Sequence, residues 1–408
     1  MISAKLFFRK LKDVKWRDLA SVFPMAAALL AVPFKRKKYA DTWLIGEADD
    51  EARDNGYHFF RYMRSEHPEQ PCIYFISKDA HDWPKVAPLG PTVKTGSVRH
   101  WLLYFTCRWT ISSQKGGKPN AALCNFLELN QLIKPRFVFL QHGVTKDKND
   151  WLMADRCRFT YLITATTSEQ AFVSKAFGYP DGVVHLTGFP RFDNLHDNRT
   201  IPNRVIIMPT WRTWLRNKSS KGVTGESDIE HSRFMMCWLE LLNSPELERI
   251  ARAYHLEILF YPHRGLQPHL ASFRVTNPMV RVVASEEVDI QDVLKSAVLM
   301  ITDWSSVYFD MFYMKKPVIF YQFDEQEFRS YHYEQGWFDY HHNPFSTSLA
   351  EPAQVLRTLE EAAAGGFAVS DSFLAAHAKE FQPFDNRNSQ RVYELLSGKT
   401  EAERGDGR

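Results

Sequence analysis

The chain lacks what many familiar chemistries require. Its 408 residues include five cysteines, Cys72, Cys107, Cys124, Cys157 and Cys237, none in a Cys-x-x-Cys pair. That spacing excludes a disulfide framework and a zinc knuckle and suits a reducing cytoplasm. Gly-x-Gly-x-x-Gly is absent, as is a complete P-loop, so neither a dinucleotide dehydrogenase nor a P-loop NTPase is supported. No Asp-x-Asp stands ready to hold a cation against a diphosphate, and no histidines pair at metal-ligand spacing. The expectation is a reaction with no metal and no other cofactor, in which protein cations and dipoles take the metal's place. Charge of one sign is also scarce. The 51 basic residues exceed the 48 acidic ones by a net +3, which gives no footprint for nucleic acid as a partner.

The charge distribution says more than its sum. Ten of the first 38 residues are Lys or Arg, and they bracket an apolar run, residues 19–34, that Pro24 and Pro33 interrupt. The run is shorter than the roughly 20 residues of a spanning helix, and Lys35, Arg36, Lys37 and Lys38 follow where a signal peptide has small residues. Residues 1–38 are therefore expected to lie on an anionic membrane surface as an amphipathic segment. The competing reading is a helix docked on its own protein through Leu6, Phe7, Phe8, Leu11 and Trp16. Basic and aromatic residues interleave at 5–17, a spacing that suits anionic lipid at least as well as RNA.

Beyond this leader, short β-rich runs alternate with helical stretches. The runs are 42–46, 72–76, 108–112, 137–141, 161–164 and 183–187, then, after a polar break at 198–203, 205–208, 257–261, 280–284, 298–302 and 317–321. A helical stretch covers 234–254. This pattern predicts an α/β fold of two Rossmann-like halves in tandem, 39–197 and 204–395, followed by a solvated tail, 396–408. The polar segment 216–227 reads as a mobile loop able to close over a substrate.

In open parallel sheets, ligands bind beyond the carboxyl ends of the strands, and four such places carry polar residues. A buried run ends at Gln141-His142-Gly143, where a histidine can take a proton near neutral pH or merely bond a loop carbonyl. Lys146 follows as a phosphate or acceptor contact, or as plain surface. Thr210-Trp211-Arg212 opens the second half. There Arg212 can fork onto phosphate oxygens and Thr210 can donate a hydroxyl, or Trp211 can simply pack. His263 and Arg264 follow a third run, placed to stabilise charge on a leaving diphosphate or to satisfy a loop. The fourth is Thr302-Asp303-Trp304-Ser305-Ser306, read as two serines opening a helix at a buried strand's end. This is either an anion site or ordinary capping.

In this order, His142-Gly143 with Lys146, Pro209-Thr210-Trp211-Arg212, Pro262-His263 and Thr302-Asp303-Trp304-Ser305-Ser306 resemble the CDP-glycerol glycerophosphotransferase family of teichoic acid and capsule synthesis. Residues 43–47, Ala52-Arg53-Asp54-Asn55-Gly56 and 316–321 with Asp324 also resemble family segments. The resemblance implies a GT-B fold whose halves, an acceptor domain and a CDP-donor domain, face across a cleft. It further implies single-displacement transfer from CDP-glycerol to a lipid-linked polymer hydroxyl, and peripheral attachment to the cytoplasmic face of the cell membrane. It makes His142 and His263 catalytic, with His142 the base, and gives Thr210, Arg212, Asp303, Ser305 and Ser306 to the donor. The chain departs from the family pattern in having Trp304 where Tyr is more frequent and Val144 where Thr is common. Rival readings are a CDP-ribitol or UDP-sugar donor on the same fold and a non-catalytic membrane scaffold; self-association into a homo-oligomer is compatible with all of them.

Overall fold

A computed structural model describes residues 16–134, 136–197, 199–216 and 229–398. The leader residues Leu6, Phe7, Phe8 and Leu11, most of the loop 216–227 and the tail from 399 lie outside them. The chain divides into two compact units: Met1–His142 with Asp150–Asp193 and Asp385–Arg408, and Gly143–Asn149 with Asn194–Phe384.

The first unit is built on seven parallel strands, β1 (Trp43–Gly46), β2 (Cys72–Phe75), β3 (Thr92–Val93), β4 (Trp109–Ser112), β5 (Phe137–Phe139), β6 (Tyr161–Thr164) and β7 (Val184–Leu186). Their order is β3-β2-β1-β4-β5-β6-β7, so the winding reverses between β1 and β4. Strands buried on both faces require continuous apolar runs, and Trp43-Leu44-Ile45 and Phe137-Val138-Phe139 are fully enclosed. Each such side chain contributes about 1.5–3 kcal/mol on leaving water.

The C-terminal helix Asn388–Ser397 belongs to this same unit. Val392, Tyr393 and Leu396 are buried, Leu396 accepts a hydrogen bond from the Trp109 indole at 3.1 Å, and Asp193 caps the helix start by accepting from the N–H groups of Asn388 at 2.7 Å and Ser389 at 2.8 Å. The expected second segment, 204–395, thus ends early. From Asp385 the chain rejoins the first sheet, because the apolar stripe of this helix is complementary to it.

The second unit holds β8 (Arg204–Met208), β9 (Glu257–Phe260), β10 (Val280–Val282), β11 (Leu299–Thr302), β12 (Val318–Tyr321) and β13 (Ser348–Leu349), in the order β10-β9-β8-β11-β12-β13, all parallel. Its core joins Val205, Ile207, Trp238, Ile258, Phe260 and Ile301. The helical stretch expected at 234–254 is two helices, Arg233–Leu242 and Pro245–Ala253, because Pro245 starts a new helix behind its Ser244 cap. Residues 143–149 also belong here. The Trp337 indole donates to the Thr145 carbonyl at 3.0 Å, and buried Asp147 pairs with Lys146 and, at 2.7 Å, with Arg329.

The N-terminal helix Val22–Tyr39 packs Met25, Ala28 and Val32 against Trp101, Leu102 and Tyr104 of the helix Val98–Thr106. Trp16, expected among the docking contacts, is instead exposed. On the opposite side Phe23, Leu30 and Phe34 are 80%, 77% and 84% exposed. The helical stretch Asp18–Tyr39 has 22 residues, longer than the apolar run visible in the sequence, and passes by length and composition as a membrane span. A signal sequence near an N-terminus passes the same test.

Candidate active site

In the first unit the polar strand ends gather at the reversal between β1 and β4 and on neighbouring β5. His142 follows β5 by way of Gln141, whose φ of 59° is left-handed. For a residue with a side chain that conformation costs about 1–2 kcal/mol and persists only where neighbours over-determine it. Here they do. The Gln141 carboxamide donates to the Ile163 carbonyl at 2.7 Å and to Glu169 at 3.0 Å, and its own carbonyl accepts from Asn55 Nδ2 at 2.7 Å.

The His142 ring reaches solvent at its surface, yet enough protein surrounds it that desolvation, assisted by the Arg191 guanidinium, lowers its pKa below 6.5. The Asp54 carboxylate and a hydrogen bond to the Ser113 main chain oppose the shift. The ring lies nearly parallel to that of Trp151, with centroids 6.3 Å apart. A histidine so placed is neutral at neutral pH and able to accept a proton.

Around it stands a set that sequence reasoning noted only as a family-like segment. Glu47, just past β1, is buried and accepts from the N–H groups of Arg53, Asp54 and Tyr57 at 2.9, 2.9 and 2.7 Å. Desolvation and the Asp54 charge push its pKa up to about 8. Asp54 caps the helix Asn55–Glu66 and pairs with Arg191 at 2.9 Å. A Cβ on Gly56 would lie 2.5 Å from the Gly46 carbonyl oxygen, so the close approach of strand end and helix requires glycine there. Applying the strand-end rule to β1 as well would have found this set.

In the second unit three of the expected clusters stand side by side, because β9, β8 and β11 are adjacent and the winding reverses between β8 and β11. The main chain ties them together. The His263 N–H donates to the Pro209 carbonyl at 3.0 Å, and the Thr210 N–H donates to Asp303 Oδ1 at 2.9 Å. His263 Nδ1 accepts from the Gly265 N–H at 3.0 Å. An amide can only donate, so the neutral ring carries its proton on Nε2, a donor. Arg264 is exposed beside it.

Arg212, expected to fork onto phosphate, is instead fully buried. Its Nε and Nη2 donate to Asp324 at 2.6 and 3.0 Å, Nη2 pairs with Asp303 at 2.8 Å, and Nη1 donates to the Thr210 carbonyl at 2.6 Å. Burial alone would depress this guanidinium, but the two carboxylates outweigh it and hold the group charged. Arg212 is thus a buttress: satisfying two buried carboxylates is worth more than facing solvent. Asp324, noted in the sequence only as family-like, also accepts from the Trp304 indole at 3.0 Å, which gives tryptophan a reason to stand at that position.

The serines do not cap the helix either. It starts later, at Tyr308, and is only six residues long, so Ser305 and Ser306 sit in the preceding turn, where Ser305 Oγ accepts from the Val307 N–H at 3.3 Å. A Cβ on Gly143 would fall 2.4 Å from Ser306 Oγ, so this glycine and that hydroxyl are in contact. The Thr210 hydroxyl is buried with no hydrogen-bond partner among the described residues. Lys146, expected as a phosphate or acceptor contact, is buried, bonded to Asp147 and set 5.4 Å above the Tyr340 ring. Its place in the second unit is that of an anchor.

Two Rossmann-like units with polar clusters at their winding reversals define the GT-B class of α/β fold. Solved structures share it. A variant of the wall teichoic acid polymerase TagF, soaked with CDPG, matches with a TM-score of 0.66 at 16% identity over 98% of both chains. The UDP-GlcNAc 2-epimerase of Methanocaldococcus jannaschii, in complex with UDP-GlcNAc and UDP, matches with a TM-score of 0.53 at 12% identity over 88% of this chain and 99% of its own. At these identities the likeness is one of fold. Residues 26–398 match the family CDP-glycerol:poly(glycerophosphate) glycerophosphotransferase, and the chain belongs to that family. It is 28% identical over 369 residues to the minor teichoic acid biosynthesis protein GgaB of Bacillus subtilis (strain 168), a match that takes in 89% of this chain and 40% of GgaB. The chain thus spans well under half the length of that relative.

Proposed function

We propose that the chain transfers glycerol phosphate from CDP-glycerol to a hydroxyl of a membrane-linked polymer or primer, releasing CMP. The observation that carries this reading is the alignment of three polar strand ends on adjacent β9, β8 and β11 in a chain of glycerophosphotransferase family. The acceptor oxygen attacks the β-phosphorus, the bond from that phosphorus to the bridging oxygen breaks, CMP leaves with the oxygen, and the acceptor proton passes to His142. His263 Nε2–H and the Ser305 and Ser306 hydroxyls donate to the diphosphate, and the Thr210 hydroxyl gains there the partner it lacks. Asp303 and Arg212 hold the Thr210 loop in place, with Arg264 at the rim. Catalysis of this kind is positioning and charge stabilisation.

The membrane surface is met by residues 1–38 on the cytoplasmic face. Phe23, Leu30 and Phe34 enter the bilayer boundary and Lys35 to Lys38 face anionic headgroups, a peripheral attachment supported by that uncovered apolar stripe.

His142→Gln should retain CDP-glycerol binding and lose roughly 10²–10⁴-fold in turnover, the usual worth of a general base. Measuring CMP release from CDP-glycerol and from CDP-ribitol, and UDP release from a UDP-sugar, each with a lipid-linked glycerol phosphate primer, decides the donor. Unchanged turnover in the variant removes His142 from the chemistry, and no release from any donor by the folded protein favours the scaffold.

A further inference from the structure

The Asn55 side chain is fully buried, and both its ends are engaged away from its own helix. Its Nδ2 donates to the Gln141 carbonyl at 2.7 Å and approaches that of Leu140 at 3.4 Å, and its Oδ1 accepts from the Arg191 N–H at 3.1 Å. Its helix does not need it. Asp54 supplies the cap and Glu47 takes the neighbouring N–H groups. The carboxamide reaches from the end of β1 past β4, which lies between, to the end of β5. It lands on the one residue of that turn whose backbone is left-handed, Gln141, the residue before His142.

A strained residue moves to a relaxed conformation once a restraint is lost, and rotation at Gln141 would swing the next side chain. We propose that Asn55 is a positioning residue for the transfer step: its carboxamide locks the Gln141 turn and thereby sets the aim of the His142 imidazole. Arg191, which pairs with Asp54, is held in the same joint. The inference rests on reading His142 as the base, and deepens that reading.

Asn55→Asp tests it with little change of shape, since the carboxylate can still accept from Arg191 but cannot donate to Gln141. With the full chain, CDP-glycerol and a lipid-linked glycerol phosphate primer, the expected result is a kcat lowered 10- to 100-fold with KM for CDP-glycerol within two-fold. The His142 ring nitrogen signals in ¹⁵N-histidine-labelled protein should shift as well. In a His142→Gln background the same substitution should cost no further kcat, because there is no imidazole left to aim. An unaltered kcat, a loss confined to KM, or an equal loss in both backgrounds overturns the proposal. If His142→Gln by itself keeps full turnover, the base reading fails instead, whatever Asn55→Asp does. Should the buried carboxylate prevent folding, Asn55→Ala carries the same test, for it removes the donor to the Gln141 carbonyl without placing a charge in the joint and should show the same kcat-selective loss.

Discussion

Arg212 shows how far a residue's surroundings can redirect its chemistry. Read in sequence beside Thr210 it is a phosphate fork; in the fold Asp303 and Asp324 claim it inside the second unit. Arg212→Met would strand two buried carboxylates without a cation, a change that costs about 3–5 kcal/mol. The variant is therefore expected to lose most of the second unit's stability in a thermal melt before any question of donor affinity arises. A melt unchanged from wild type, with only KM raised, would return Arg212 to the donor. His142 and His263, by contrast, were legible from sequence because each follows a buried apolar run, and the structure places each at a strand's carboxyl end. Asn55 and Asp324 stood out only as parts of family-like segments, without a role, since their meaning lies in partners 86 and 112 positions away.

At the scale of elements, the strand runs read from hydrophobicity coincide with β1, β2 and β4 to β12, since parallel strands enclosed on both faces must be apolar, while the edge strands β7 and β10 keep apolar residues only on alternate positions around His185 and Arg281. The two-residue edge strands β3 and β13 leave no such signature. The helix Val98–Thr106 carries a titration of its own. His100 on it is fully buried against Phe75, with ring centroids 4.9 Å apart, and its Nδ1 accepts from the Gly96 N–H at 3.1 Å. Desolvation lowers its pKa from 6.5 to about 3. Between those values the unfolded chain binds a proton that the folded chain does not. The contribution is therefore complete above pH 6.5 and lost as pH falls toward 3, by about 1.4 kcal/mol per pH unit for one proton. Guanidinium unfolding of wild type and His100→Gln between pH 7 and 4 should show the variant's stability falling less steeply by that amount. Parallel slopes would assign the acid sensitivity to other groups.

For the whole molecule, the exposed stripe of the N-terminal helix is the feature that stability does not explain. Phe23→Ser, Leu30→Ser and Phe34→Ser together remove side chains that the fold leaves in water, so the melting temperature should stay within about 1 °C of wild type, as for surface positions generally. Co-sedimentation with anionic vesicles should fall more than tenfold, given about 1.5–3 kcal/mol for each large apolar side chain buried. Retained binding would place membrane attachment elsewhere in the chain. The order of apolar runs and turns was enough by itself to determine two parallel α/β halves and the strand ends where chemistry could sit, because burial on both faces and chain bending constrain residues only a few positions apart. Which cations are spent as internal buttresses, which glutamine is strained to present a histidine, and where the last helix returns were decided only in three dimensions. Those outcomes depend on partners brought together by the winding of the sheets, and spacing along the chain carries no record of them.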